Sequence, residues 1–349
     1  MASAGICGSA ATPPENLNHP VISKEIKNIL AIRTDRFGEF ILTLPAIYAL
    51  KESFPGSRLA LIAHPYSAQL VCGNGIIDEV IEYEDSRCAG IIPTLGLIHK
   101  IKKSKFDLAV VFNPKKKFHL ITFLAGIPIR AGYDRKWGFL LNKKIKDLKS
   151  SGAKHEVEYN FDLLRAIGIN PGKTTPRIYV EKKAEERMLR LLAEQGIDHK
   201  SGFIVLHPWT SDPVKQWPVE NFSQLAGRLL KEFPGRVAVI GGKEEAGRSE
   251  SFCAAVAGLV NLAGKFTLSE SAAFLTTCRC LISNDSGPVH LAAAVGLPVA
   301  AIFRSGIPGK SAKRWGPWGE NHIVIEKDNL REITVDEVLE KVHLILKSN

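Results

Sequence analysis

The 349-residue chain is 45% hydrophobic and 23% charged, with 46 Lys and Arg against 36 Asp and Glu. This length suits two domains that each bury a core, and the composition excludes a disordered or collagen-like chain. The net charge of +10 is concentrated: between Lys100 and Lys149 fourteen basic residues face three acids, so this segment carries +11 and the remainder about −1.

Two strand–helix series follow in chain order. The first opens with the apolar run 28–33, which predicts a buried parallel strand. A polar loop at 34–39 and a helix at 40–54 come next, the latter stopped by Pro55-Gly56. Strands are expected at 58–63, 78–83 and 107–112, and a helix at 156–167 closes this half. Residues 169–180, with Pro171, Gly172 and Pro176, read as the linker. A charged helix at 183–195 leads into the second series, with strands at 203–207, 236–241, 279–283 and 298–303. Helices are expected at 219–233, 244–257, 268–277 and 287–295. A final helix at 334–346 carries Val335, Val338, Val342 and Leu346 on one face. Two Rossmann-like halves with a cleft between them account for this order.

Four polar motifs fall at strand ends. Residues 33–39 (Arg-Thr-Asp-Arg-Phe-Gly-Glu) put Gly38 at a tight turn and Glu39 at a helix start, where a carboxylate can serve as general base or simply cap the helix. Residues 207–218 bring Thr210, Ser211 and Lys215 together, donors and a cation suited to a diphosphate without a metal, while Trp217 reads as a core anchor. Residues 240–245 end in Glu244 and Glu245, either of which can accept from ribose hydroxyls or cap a helix. Residues 283–290 (Ser-Asn-Asp-Ser-Gly-Pro-Val-His) form a loop at a helix N-terminus, a natural seat for phosphate, with Asp285, Ser286 and Gly287 at its tip. His290 lies one turn on, touching the ligand or packing beneath it.

Other chemistries lack their signals. There is no G-x-G-x-x-G fingerprint for a dinucleotide cofactor, no H-E-x-x-H, no metal-ligand spacing and no G-x-S-x-G elbow. Cys7, Cys72, Cys88, Cys253, Cys278 and Cys280 match neither a zinc site nor a disulfide framework, so reduced thiols in a cytosolic protein are expected. Residues 1–20 do not have the pattern of a signal peptide. The longest apolar run, 289–303, is broken by Gly296 and Pro298 and is too short to span a bilayer, which makes any membrane contact peripheral. The basic segment reads as a solvated face or as a patch for an anionic glycolipid or membrane. Its few aromatics speak against nucleic acid.

Jointly, residues 33–45, 207–218 and 284–290, with 125–133 and 155–169, resemble the ADP-heptose:lipopolysaccharide heptosyltransferase family, glycosyltransferase family nine, over roughly residues 28–325. The resemblance implies a GT-B fold of two Rossmann-like domains whose parallel sheets face a cleft. It implies an N-terminal extension (1–27), an acceptor-side domain (28–175), a nucleotide-sugar domain (176–330) and a C-terminal helix (331–349) crossing back to the first domain. It also implies inverting, metal-independent transfer of a heptose or related sugar from an ADP-sugar to a lipopolysaccharide inner-core acceptor, with no cofactor, at the cytoplasmic face of the inner membrane. Glu39 takes the place of the family's catalytic aspartate, and Lys215 that of its phosphate-binding lysine. Thr210, Ser211, Glu244, Asp285, Ser286, Gly287 and His290 fall on the donor side. Arg130, Arg135 and Lys136 are the acceptor-side candidates. The departure is Glu39 itself, since Glu adds a methylene and a rotor where the family usually has Asp. Asp35 is the alternative base. An epimerase of the same fold, or a binding protein that lacks a competent base, are the rival readings.

Overall fold

The computed structural model describes residues 25–172 and 174–347, and its strands form two six-stranded sheets paired in parallel throughout. The first contains β1 (Asn28–Arg33), β2 (Arg58–Ala63), β3 (Glu79–Glu82), β4 (Leu108–Val111), β5 (Ile129–Tyr133) and β6 (Lys143–Ile145), in the order β3-β2-β1-β4-β5-β6. The second contains β7 (Phe203–His207), β8 (Arg236–Val239), β9 (Val260–Asn261), β10 (Cys280–Asn284), β11 (Val299–Arg304) and β12 (Ile323–Lys327), in the order β12-β11-β10-β7-β8-β9.

The central strands are apolar at nearly every position because helices cover both faces of each sheet. β1 pairs Ile29 with Leu59 on one side and Leu108 on the other, and all three are fully buried. In each sheet the chain winds outward from a central strand and then returns to that strand's other side. The reversal lies between β1 and β4 in the first sheet and between β7 and β10 in the second. Loops leaving the carboxyl ends of strands at such a reversal frame a crevice. Residues 34–39 follow β1, 208–218 follow β7 and 285–286 follow β10, so three of the four motifs reach the crevice edge.

The expected helix at 40–54 is two helices, Phe37–Ile41 and Leu44–Ser53. Pro45 lies in the first turn of the second, where its missing N–H and its ring stop the first helix from continuing. β5, β6, β9 and β12 were not among the expected strands. β6 and β9 are very short and β5 is interrupted by Arg130 and Gly132, while β12 carries only the three-residue apolar run 323–325 before Glu326 and Lys327.

The C-terminal helix, Val335–Lys347, corrects one expectation. It does not cross back to the first domain. Its Val338, Leu339, Val342 and Ile345 join a core with Ile204, Leu206, Phe222 and Ile302, all in the second half. The segment that reaches the first domain lies earlier, around residues 309–318. His155 Nε2 is 3.0 Å from the Gly316 carbonyl, and its ring stacks on Trp318 at 4.5 Å. The linker is tied to both halves: Tyr48 Oη donates to the Arg177 carbonyl at 2.9 Å, and Ile178 N to that of Ala294 at 3.1 Å. Cys72, Cys88, Cys253, Cys278 and Cys280 are free thiols, and Cys7 lies outside the described residues. Among the described residues no helix is long and apolar enough to cross a membrane.

Candidate active site

The two domains meet at two glycines. Helix Phe37–Ile41 of the first domain packs on helix Gly287–Ala294 of the second. A Cβ on Gly38 would sit 2.9 Å from His290 Cδ2, and one on Gly287 would run into the Phe37 ring. Only glycine allows this approach. The base candidate and the donor-loop candidate are therefore held against each other across the crevice.

Glu39 is half-buried one residue beyond that contact. Burial raises its carboxyl above the ordinary range; the Arg33 guanidinium opposes the rise and Asp35 adds to it. A raised carboxyl is a stronger base once ionised, which suits proton abstraction from a hydroxyl. Asp35 is engaged elsewhere, accepting from Arg33 Nε at 2.6 Å.

Behind Glu39 lies a charged cluster that the sequence reading missed. Glu156 is 1% exposed and receives Lys149 Nζ at 2.5 Å and Arg314 Nη2 at 2.9 Å, with Arg33 Nη2 at 3.8 Å. Burial alone would raise Glu156, but Lys149, Arg33 and Arg314 outweigh it and hold the carboxyl below the usual range. Burial pushes Lys149 down to about 8. An arginine ending an otherwise apolar strand was the available signal, because a buried guanidinium requires a carboxylate partner.

On the donor side, Asn284 fastens two loops together. Its Nδ2 donates to the Pro208 carbonyl at 2.8 Å and its Oδ1 accepts from Trp217 N at 3.0 Å. Trp217 is fully buried and donates Nε1 to the Ile333 carbonyl, so it is a core anchor. This clamp brings Lys215 Nζ to 2.5 Å from Asp285 Oδ2. Burial raises the Asp285 carboxyl, and Lys215 opposes that rise. Ser286 Oγ lies 3.1 Å from His207 Nδ1 and 2.9 Å from Ser283 Oγ. Thr210 is half-buried, its Oγ1 accepting from Asp212 N, and Ser211 is exposed beside it.

The two glutamates of the glycine turn separate by environment. Glu245 Oε2 lies 3.3 Å from His207 Nε2 and accepts from Gly242 N at 2.9 Å. Burial would raise it, yet His207 and the Gly242 N–H bring it below the usual range. Glu245 is thus committed to holding the turn, while Glu244 is exposed at the same place and can face a ligand. His290 is 5% exposed, inside the domain contact. Burial, then His155 and Lys215, push it down to about 3.

The basic segment is less of a single patch than its charge implies. Lys100 pairs with Glu79, Lys115 with Asp85 and Lys149 with Glu156, all acids outside the segment. Arg130 donates Nε to the Leu140 carbonyl at 2.9 Å and Nη1 to that of Ile127, so its guanidinium shapes its own loop. Arg135 is exposed and pairs with Asp147 at 3.1 Å, and Lys136 is exposed.

Comparison with known proteins places this geometry. The family model for glycosyltransferase family 9 (heptosyltransferase) matches residues 94–343. A Haemophilus influenzae protein with a provisional glycosyltransferase name is 27% identical over 346 residues, covering 93% of this chain and 98% of that protein. The structure of a family 9 glycosyltransferase from Veillonella parvula superposes with a TM-score of 0.85 at 20% identity, covering 94% of this chain and all of that one. Escherichia coli ADP-heptose lps heptosyltransferase II superposes with a TM-score of 0.78 at 23% identity, covering 92% and 99%. These likenesses show the GT-B fold. The chain belongs to glycosyltransferase family 9, the heptosyltransferases, and is a glycosyltransferase.

Proposed function

We propose that the protein transfers a heptose or related sugar from an ADP-sugar to a lipopolysaccharide inner-core acceptor, with inversion and without a metal. One observation carries the reading: Glu39, its carboxyl raised by burial, sits on the helix packed against helix Gly287–Ala294, and the loop opening that helix holds Ser286 and Asp285, the latter paired with Lys215 of the neighbouring loop. In this mechanism Glu39 removes the proton from an acceptor hydroxyl. The oxygen attacks the anomeric carbon from the side opposite the diphosphate, the C–O bond to the β-phosphate breaks, and ADP leaves. Lys215 and the donors at Thr210, Ser211, Ser286 and Gly287 hold the charge that develops on ADP. Glu244 receives a ribose hydroxyl. The first domain, with Arg135 and Lys136 exposed, takes the acidic glycolipid at the cytoplasmic face of the inner membrane. Residues 28–175 and 176–330 divide these tasks as acceptor side and donor side.

The extra methylene of Glu39 relative to Asp sets the acceptor oxygen further from the strand end, a specificity feature rather than a defect. Purified protein given ADP-heptose and a heptose-deficient core acceptor tests the reading. Acceptor-dependent release of ADP with a β-to-α change at the anomeric carbon, or its reverse, is expected. Product formed from donor alone would assign the chain to sugar-nucleotide epimerisation instead.

A further inference from the structure

Helix Ile91–Lys103 turns only part of its apolar surface to the core. Leu97, Ile98 and Ile101 pack against the cluster that includes Tyr83 and Phe118, whereas Ile91 is 78% exposed, Ile92 84% and Leu95 57%. Exposed side chains of this size on a first turn are unusual unless something covers them. The same outer face continues at helical spacing through His99, Lys102 and Lys103, all exposed. A second apolar tip stands nearby, with Phe139 73% and Trp137 42% exposed. Two lysines in the first turn of helix Lys116–Leu124 connect the tips. Lys117 Nζ donates to the Cys88 carbonyl, three residues before Ile91, and Lys116 Nζ lies 5.8 Å over the Trp137 ring. Both tips follow carboxyl ends of first-sheet strands, β3 and β5, and so lie on the edge where Glu39 follows β1.

Apolar and aromatic tips beside lysines match the interface of an anionic bilayer, in which rings and aliphatic chains enter the headgroup boundary and cations meet lipid phosphates. The carboxylates nearest in the chain do not spoil this match: Glu84 pairs with Arg87, Asp85 with Lys115 and Asp134 with Lys144. We infer that Ile91, Ile92, Leu95, Trp137 and Phe139, with Lys116 beside Trp137 and Lys102 and Lys103 further along the same helix face, dock the first domain on an anionic lipid surface. This deepens the proposed function, which needs a membrane-borne acceptor, by naming the surface that delivers the domain to it.

The test uses no sugar, so its result is independent of the transfer reaction. Full-length protein is floated with vesicles of phosphatidylglycerol and phosphatidylethanolamine, and in parallel with phosphatidylcholine alone. Wild type is expected to float with the anionic vesicles and to be released by high salt. The double variant Ile91→Glu/Ile92→Glu should lose about tenfold or more of the affinity, with its thermal unfolding unchanged because both side chains are already exposed. Lys102→Glu/Lys103→Glu should remove the preference for anionic lipid. Failure of wild type to float with anionic vesicles, or flotation unaltered by Ile91→Glu/Ile92→Glu, overturns the inference. A concentration-dependent dimer in light scattering that this double variant abolishes also overturns it, by assigning the surface to a second copy of the chain.

Discussion

Arg314, from the second domain, places Nε at 3.1 Å and Nη2 at 2.9 Å from Glu156 Oε2 of the first. The same guanidinium donates Nη1 to the Lys149 carbonyl at 2.9 Å. Glu156 is therefore shared between its own domain, through Lys149 and Arg33, and the opposite one. Arg33 leads from it along β1 to Asp35 and to the field that acts on Glu39. One buried carboxylate thus ties the two domains together and also pairs with the arginine whose charge opposes the rise at Glu39.

Removing that carboxylate leaves three cations facing one another in a buried space. Glu156→Gln is expected to lower stability by about 3–5 kcal/mol, the usual cost of stranding a buried charge. The pH dependence has a definite sign. The folded Glu156 carboxyl is held below its unfolded value, so its contribution is complete above the unfolded pKa and is lost as pH falls through the folded one. Urea unfolding of both proteins should therefore show a gap that is full near neutrality and closes in acid. A constant gap across that range would contradict the assignment.

Glu39→Gln keeps the shape of the side chain and removes the base. A fall in kcat of about 10²–10⁴-fold with donor KM little changed is expected. In wild type, the acid limb of kcat/KM should lie above the ordinary glutamate range, since burial raises this carboxyl and only its ionised form accepts a proton. Initial rates from acid to neutral pH supply the check, and a limb at or below the ordinary value would exclude Glu39 as the titrating base.

The donor loop gives a binding prediction. Lys215→Met removes the charge expected at the diphosphate and leaves Asp285, 8% exposed, without its 2.5 Å partner. Affinity for ADP should fall about tenfold or more, measured by calorimetry. The double variant with Asp285→Asn should recover stability but not ADP affinity. Recovery of both would reduce Lys215 to a structural counter-ion.

Much of this arrangement was legible in the sequence because it rests on local chemistry. β1 and β2 have the bounds their apolar runs imply, and the loops after β1, β7 and β10 stand where chain reversals put them. What could not be read depends on contacts between distant segments. Nothing near Glu156 announces that Arg314, 158 residues away, completes its pairing. The separation of Glu244 from Glu245 needed His207, 38 residues away. The final helix has an apolar face that would suit either domain, and only the complementary groove beside Val219–Glu232 decides between them.

The glycine contact yields the most direct test of closure. Gly287→Ala adds a methyl group that must displace the Phe37 ring, which itself stacks edge-on against Tyr66 at 5.8 Å. The two helices then separate by a fraction of an ångström to an ångström, enough to lower kcat/KM by about 10²-fold where reacting groups come from opposite domains. Gly227→Ala is the control: it lies in helix Val219–Glu232 with open space at the added Cβ, and should stabilise the fold by about 0.5–1 kcal/mol without a kinetic effect. Adding Phe37→Ala to Gly287→Ala relieves the collision and should restore part of the lost rate. If the single variant keeps wild-type kcat/KM, close approach of these two helices is not part of the catalytic geometry. If it loses rate but the double variant recovers none, Phe37 contributes to the site beyond the space it occupies.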